Sequence, residues 1–138
     1  MRVLLDTCVI SELWRKSGSD SVRRHVSVLK PDDTYVSVLT IGEIIKGIDL
    51  LKESKKKRDL RHKLAVLESN YHENILIIDL DTIRLWGEMQ AASQKKGRSV
   101  PVSDGLIAAT AKRHSLHIMT RNIADFEGTG AMLINPWE

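Results

Sequence analysis

Cysteine is almost absent: Cys8 is the one thiol in 138 residues. A lone cysteine closes no intramolecular disulfide, so a disulfide-stapled scaffold is excluded and the usage suits a reducing compartment. No apolar run approaches the roughly 20 residues of a membrane-spanning helix. Met1-Arg2-Val3-Leu4-Leu5 runs straight into Asp6, without the longer apolar stretch of a secretory leader. We therefore expect a cytoplasmic protein. Aromatics make up only 4% of the chain, and Trp14, Tyr35, Tyr71, Trp86, Phe126 and Trp137 are not interleaved with basic residues. That argues against a base-stacking platform for single strands. Neither GxGxxG nor GxxxxGKS/T occurs, so no glycine-rich loop is there to cradle phosphates.

Histidine is also poorly placed for chemistry. His25, His62, His72, His114 and His117 show no metal-ligand spacing such as HExxH. His25 and His62 read as helix-surface residues, and His114 falls in the last turn of a helix, where a cation is favoured.

The remaining composition is that of a folded domain. Hydrophobic residues make up 42% and charged residues 28%, and the length fits one domain, residues 1–138, with a real core. The formal charge is +3 and the pI about 9.1, a mild lean toward polyanionic partners. The most basic segment, Lys52 to Lys63, reads as a solvated helix face or as a phosphate-contacting arm.

Strand and helix patterns alternate. Arg2–Leu5 is an apolar strand. Thr7–Lys16 follows as a helix with Val9, Ile10, Leu13 and Trp14 on one face, broken at Gly18. Ser19 or Asp20 caps a second helix to about Leu29, with Val22, Val26 and Leu29 inward. After a Pro31-Asp32-Asp33 turn, Thr34–Val38 is a second strand. Thr40-Ile41-Gly42-Glu43 matches a capping box, which starts a helix at Thr40. Leu60, Leu64, Leu67 and Tyr71 mark one face of the next helix. Ile75–Ile78 is a third strand. Asp81–Lys96 is a helix with Leu85, Met89 and Ala92 inward, closed by Gly97. Gly105–Arg113, headed by Ser103 as N-cap, is small and apolar nearly all round. Leu116–Met119 and Ala131–Ile134 complete the strands. The alternation predicts a three-layer α/β/α sandwich with a mainly parallel sheet and extra helices.

Four acids occupy strand ends or helix starts: Asp6, Glu43, Asp104 and Asp125. Each has a bland explanation. Asp6 can cap the helix after it, Glu43 can complete the capping box, Asp104 suits a helix dipole, and Asp125 lies in a polar turn after Thr120-Arg121-Asn122. Taken together they sit where an open parallel sheet brings ligands to one edge. Carboxylates gathered within ~4–6 Å raise one another's pKa and repel unless a cation compensates. An all-oxygen set without His or Cys favours Mg²⁺ or Mn²⁺ over Zn²⁺.

Four blocks carry a family resemblance: Leu4-Leu5-Asp6-Thr7; Ser37 to Ile44 with Gly47; Val102 to Ala109; and Thr120 to Phe126. In this order and spacing, from Arg2 to about Pro136, the chain resembles PIN-domain ribonucleases, and within them the VapC/FitB-like toxins of bacterial type II toxin–antitoxin pairs. The resemblance implies a metal-dependent endoribonuclease whose Asp6, Glu43, Asp104 and Asp125 bind Mg²⁺ or Mn²⁺, with Thr120 in support. It also implies an RNA substrate, an antitoxin partner that occludes the acidic site, and a homodimer. Leu13 and Trp14 are candidates for the antitoxin groove or, equally, plain core. Many relatives carry Asn or Ser at position 8, so Cys8 puts a polar role there in question. Two other readings stay open: an RNA-processing PIN nuclease without an antitoxin, and a PIN-like binding module that has lost catalysis. A receiver-like phosphoryl-transfer domain fits less well, for want of a second acid beside Asp6.

Overall fold

Val3, Leu4 and Leu5 are buried, and they form the central strand β1 (Val3–Leu5) of a five-stranded parallel sheet. The structure is a computed structural model that describes all 138 residues. The other strands are β2 (Thr34–Ser37), β3 (Ile75–Leu76), β4 (His117–Met119) and β5 (Met132–Ile134), in the order β3-β2-β1-β4-β5. Six helices connect or flank them: α1 (Thr7–Trp14), α2 (Asp20–Ser27), α3 (Val38–Asp49), α4 (Lys55–Asn70), α5 (Leu80–Lys95) and α6 (Val102–Arg113).

Alternation along β1 separates two cores, because successive strand side chains point to opposite faces. Val3 and Leu5 pack with Val9 and Ile10 of α1, Val22 of α2, Ile44 and Ile48 of α3 and Leu67 of α4. Leu4 packs on the other face with Met89 of α5, Ile107 and Ala108 of α6, and Phe126. The three-layer α/β/α sandwich expected from the alternating pattern is therefore the fold, with α1–α4 on one face and α5–α6 on the other. Filling each fully buried Leu or Ile position contributes roughly 1.5–3 kcal/mol.

Several local expectations shift. Helix α3 begins at Val38, capped by Ser37, whose Oγ accepts from the Leu39 N–H at 3.1 Å. Thr40 is thus inside the helix and buried, so Thr40 and Glu43 form no capping box. Strand β2 passes into α3 without a loop, and the cap falls on the last strand residue. Helix α6 begins at Val102 after Pro101 and has no side-chain cap, so Ser103 lies in the first turn. On α5 the inward position is Ser93, while Ala92 is exposed. The three-residue strands and two-residue β3 are shorter at their ends than the apolar runs around them.

Candidate functional site

Strand register creates the first contact of the site. Leu5 pairs with Met119, and the Asp6 N–H donates to the Met119 carbonyl at 3.0 Å. The next residues on the two strands, Asp6 and Thr120, are brought side by side past the strand ends. The Thr120 hydroxyl donates to Asp6 Oδ2 at 2.8 Å, and both residues are buried, Asp6 at 8% exposure. The other oxygen, Oδ1, accepts the Thr7 N–H at 2.9 Å. Asp6 is the N-cap of α1, so its capping role is real, and it coexists with a place at the sheet edge.

Thr7 is a link that sequence reasoning missed. Its hydroxyl donates to Glu43 Oε1 at 3.3 Å, tying the start of α1 to the second turn of α3. The only sequence signal was its position directly after Asp6. Cys8, the position whose polar role the sequence put in question, lies at the same edge. Its thiol lies 3.8 Å from Asp6 Oδ2 and 3.6 Å from the Thr120 hydroxyl, within reach of a weak sulfur hydrogen bond. Position 8 therefore keeps a polar contact with the acid despite its departure from Asn or Ser. Burial pushes the Cys8 thiol pKa up, which holds it as a neutral donor.

The remaining acids approach from the other side. Asp104 sits in the first turn of α6. That helix packs against a 3₁₀ turn, Ile123–Phe126, which carries Asp125. Partial burial raises the Asp104 carboxyl, and the charges of Asp125 and Asp6 raise it further. Glu43 is raised by desolvation and by Asp6 and Asp104, against the lowering effects of the Thr7 hydroxyl and Lys46. Asp6 and Asp104 thus act on Glu43, and Asp6 and Asp125 act on Asp104. No histidine contributes to either shift.

The acids repel but do not close on one point: no group of three or more His, Cys, Asp or Glu side chains is set to hold a metal ion. In chemistry the candidate donors suit a hard divalent cation, since all four are carboxylates and none is paired with a cationic side chain. The five ion pairs of the chain involve Glu12, Asp20, Glu53 and Asp81 as acids, and none of these four. A cleft of about 580 Å³ beside Asp125 is lined by Arg121, Asn122, Asn135 and Glu138. A larger one, about 640 Å³, lies away from the acids between α1 and α4. It is lined by Trp14, Arg15, Lys16, Lys55, Lys56 and Lys63 among others. Trp14 lines this cleft while also packing on the core, whereas Leu13 packs on the core alone.

A parallel α/β/α sandwich whose central strand ends in a buried, oriented aspartate, with further carboxylates near that sheet edge, defines a class of acidic strand-end sites. The chain belongs to the PIN-domain family, whose model matches residues 3–130. It is 32% identical over 138 residues to VapC ribonuclease Y4jK of Sinorhizobium fredii, covering 99% of this chain and 98% of that protein. It is 34% identical over 137 residues to Toxin FitB of Neisseria gonorrhoeae, covering 98% of each. Among solved structures, the FitAcB crystal structure from Neisseria gonorrhoeae superposes with a TM-score of 0.93 at 33% identity and 99% coverage of both chains. The resemblance to VapC/FitB-like proteins read from the four sequence blocks is borne out by these relatives.

Proposed function

We propose that this chain, as a single PIN domain over residues 1–138, is the toxin of a toxin–antitoxin pair and an endoribonuclease dependent on Mg²⁺ or Mn²⁺. Asp6, Glu43, Asp104 and Asp125 would hold the cation. The observation that carries the reading is the strand-end geometry: Thr120 and the Thr7 N–H hold both oxygens of Asp6, and the Thr7 hydroxyl ties Glu43 of α3 to the same edge. Relatives named as VapC ribonucleases and as a toxin support the reaction and its setting.

When bound, a divalent cation supplies positive charge that makes a hydrolytic water more acidic and offsets charge on the phosphate. The chain's own residues do the positioning. Thr120 and the Thr7 N–H fix both oxygens of Asp6, and the Thr7 hydroxyl steers Glu43. Asp104 is aimed from a rigid helix whose Ile107, Ala108 and Ala109 are buried. In the reaction, water oxygen bonds to phosphorus, the P–O3′ bond breaks, and the proton balance leaves a 5′-phosphate and a 3′-hydroxyl.

A structure of FitAB with DNA and the FitAcB structure support an antitoxin partner for this chain. Exposed apolar residues Ile45, Leu50 and Val66 on α3 and α4, and Leu80 and Ile83 on α5, support that partner and a homodimer. No helix is long and apolar enough to cross a membrane, and the cytoplasm is the compartment we propose, in keeping with the single cysteine.

The test is cleavage of a mixed structured RNA pool by wild type and Asp104→Asn, each with Mg²⁺, Mn²⁺ and EDTA. We expect cleavage by wild type alone, abolished by EDTA. Cleavage that survives both EDTA and the substitution would sink the four-carboxylate site. Stabilisation of the wild-type fold by Mn²⁺, weaker in Asp104→Asn, provides a readout independent of activity.

A further inference from the structure

Arg121 follows the site residue Thr120 directly. Its side chain behaves unlike most cations near an acidic site. It lines the same cleft as Asp125, yet it makes no ion pair with any carboxylate. The guanidinium instead lies over the Trp137 ring, with 5.2 Å between Cζ and the ring centroid. Stacking on an aromatic face occupies the plane of the group and leaves its N–H edge free.

The platform is itself fixed. The Trp137 N–H donates to Asn135 Oδ1 at 3.0 Å, and the Ser21 hydroxyl of α2 donates to the Pro136 carbonyl at 2.7 Å. Trp137 packs half-buried on the core that α1–α4 share with the sheet. Upstream, the Thr120 N–H donates to the Ile134 carbonyl at 2.9 Å, so the segment bearing Arg121 and the segment bearing Trp137 are joined through β4 and β5. The tail Asn135–Glu138 is thus built against the site.

We propose that Arg121 is a phosphate-binding residue that grips an RNA phosphodiester neighbouring the one that is cut, and that Trp137 is its positioning residue. This rests on the RNA-cleavage reading above. A planar guanidinium matches two phosphate oxygens with parallel N–H bonds, and only a cation not already neutralised by the acids is available to do so. Asn122 adds an amide group to the cleft, while the Asn135 amide is engaged within the tail, its Oδ1 by the Trp137 N–H and its Nδ2 by Glu138 at 3.4 Å. The contact reads charge and not base identity, so it acts alike on every sequence.

The experiment measures binding of a fluorescein-labelled single-stranded RNA of mixed sequence, about 12 nucleotides long. The protein carries Asp104→Asn, with Mg²⁺ present, so that RNA is held without being cut. Fluorescence anisotropy is followed from about 50 to 300 mM KCl. Adding Arg121→Gln is expected to weaken binding about tenfold at low salt, in line with the loss of one charge-assisted contact. It should also reduce the slope of log affinity against log salt by about 0.7, the share of one phosphate on a single strand. Trp137→Leu should weaken binding about threefold with the slope unchanged, since the charge remains but its orientation is lost. Trp137→Phe keeps a π-face and should restore most of the affinity. A merely structural role for the tail would lower thermal stability without this pattern in slope and rescue. If Arg121→Gln binds with unchanged affinity and slope while wild type still cleaves RNA, the inference falls and the ribonuclease reading stands. If the parent protein does not bind the probe and wild type cleaves no RNA, both fall.

Discussion

Replacing Thr120 with valine keeps the shape of the side chain and removes its hydroxyl. In the structure that hydroxyl does two things: it donates to Asp6 Oδ2 at 2.8 Å and accepts the Asn122 N–H at 3.0 Å. A hydrogen bond to a charged acceptor contributes about 1.5–3 kcal/mol net. The Asn122 contact is part-buried and adds about 0.5 kcal/mol. The loss is then about 2–3.5 kcal/mol, which for a chain of this size lowers Tm by about 6–14 °C. Asp6 also loses the group that holds one of its oxygens. Outer partners of metal-binding groups typically cost 10–100-fold when removed, so we expect that fall in kcat on RNA and a matching fall in Mn²⁺ affinity. Thr120→Ser retains the hydroxyl and sheds one methyl, so it should recover activity to within about threefold while losing about 1 kcal/mol of stability. The assays are thermal melting, Mn²⁺ titration and initial rates on one RNA. A Thr120→Val protein that is destabilised as calculated yet binds Mn²⁺ and cleaves like wild type would refute the reasoning, because Thr120 would then serve the fold alone.

Two further outcomes follow from the same geometry. Glu43 and Asp104 have folded pKa values raised above their unfolded ones, so the folded state holds more protons between those values. Their contribution is fully present below the ordinary carboxylate range and is lost as pH rises through the raised values. In EDTA, Asp104→Asn should therefore melt higher than wild type at pH 7, by about 2–4 °C for roughly 1 kcal/mol discounted for partial exposure. The gap should close at acid pH and shrink when Mn²⁺ is added, and a gap independent of pH would contradict the repulsion. Separately, a Cβ at Gly105 would stand 2.7 Å from Gln90 Oε1 and 3.0 Å from Trp86 Nε1. Gln90 is tethered to the Val100 carbonyl at 3.0 Å and the indole is rigid. Gly105→Ala should cost about 1–3 kcal/mol and, by displacing the helix that carries Asp104, lower the cleavage rate more than an exposed Gly87→Ala; equal rates would show that α6 absorbs the strain elsewhere.

Much of this was legible where one local signal met one physical demand. The Val3-Leu4-Leu5 run could only be a buried parallel strand, and its position in the alternation made it central. Asp6 followed from there. Helix starts were harder to read. Thr40 to Glu43 looked like a capping box, but register with β1, which pairs Val3 with Thr34, ends β2 at Ser37, and Ser37 takes the cap. Ala92 and Ser93 differ by one residue of helical phase, which only the packing of α5 on α6 decides. The Thr7–Glu43 bond and the Arg121–Trp137 stack join distant parts of the chain, and no spacing announces them. Asp6, Asp104 and Asp125 were legible because each falls at a strand end or helix start, whereas Glu43, expected at a helix start, lies in the second turn of α3; the spacing of the acids was not legible, and the folded chain leaves them without closing on one point.

That open arrangement bears on how the acids should be interpreted. The other acids of this chain with clear roles are neutralised or used as caps. Glu53 meets Lys57 and Arg61, and Asp79 caps α5 through Thr82. Capping also accounts for one oxygen of Asp6, and Thr120 for the other. It accounts for neither Glu43, which has lost its supposed capping box, nor Asp104, whose helix has no side-chain cap to complete. Both are raised by partial burial and by like charge, a condition that works against the fold and that Lys46 offsets only at Glu43. With 21 lysines and arginines in the chain, the absence of any ion pair to these acids is not a shortage of cations. Five basic groups line the cleft between α1 and α4, and Arg121, though it shares a cleft with Asp125, is stacked on Trp137. A chain that is basic overall and keeps one acidic edge unneutralised is arranged to draw a polyanion to its surface and a divalent cation to its strand ends, which is the charge logic a phosphodiester hydrolase requires.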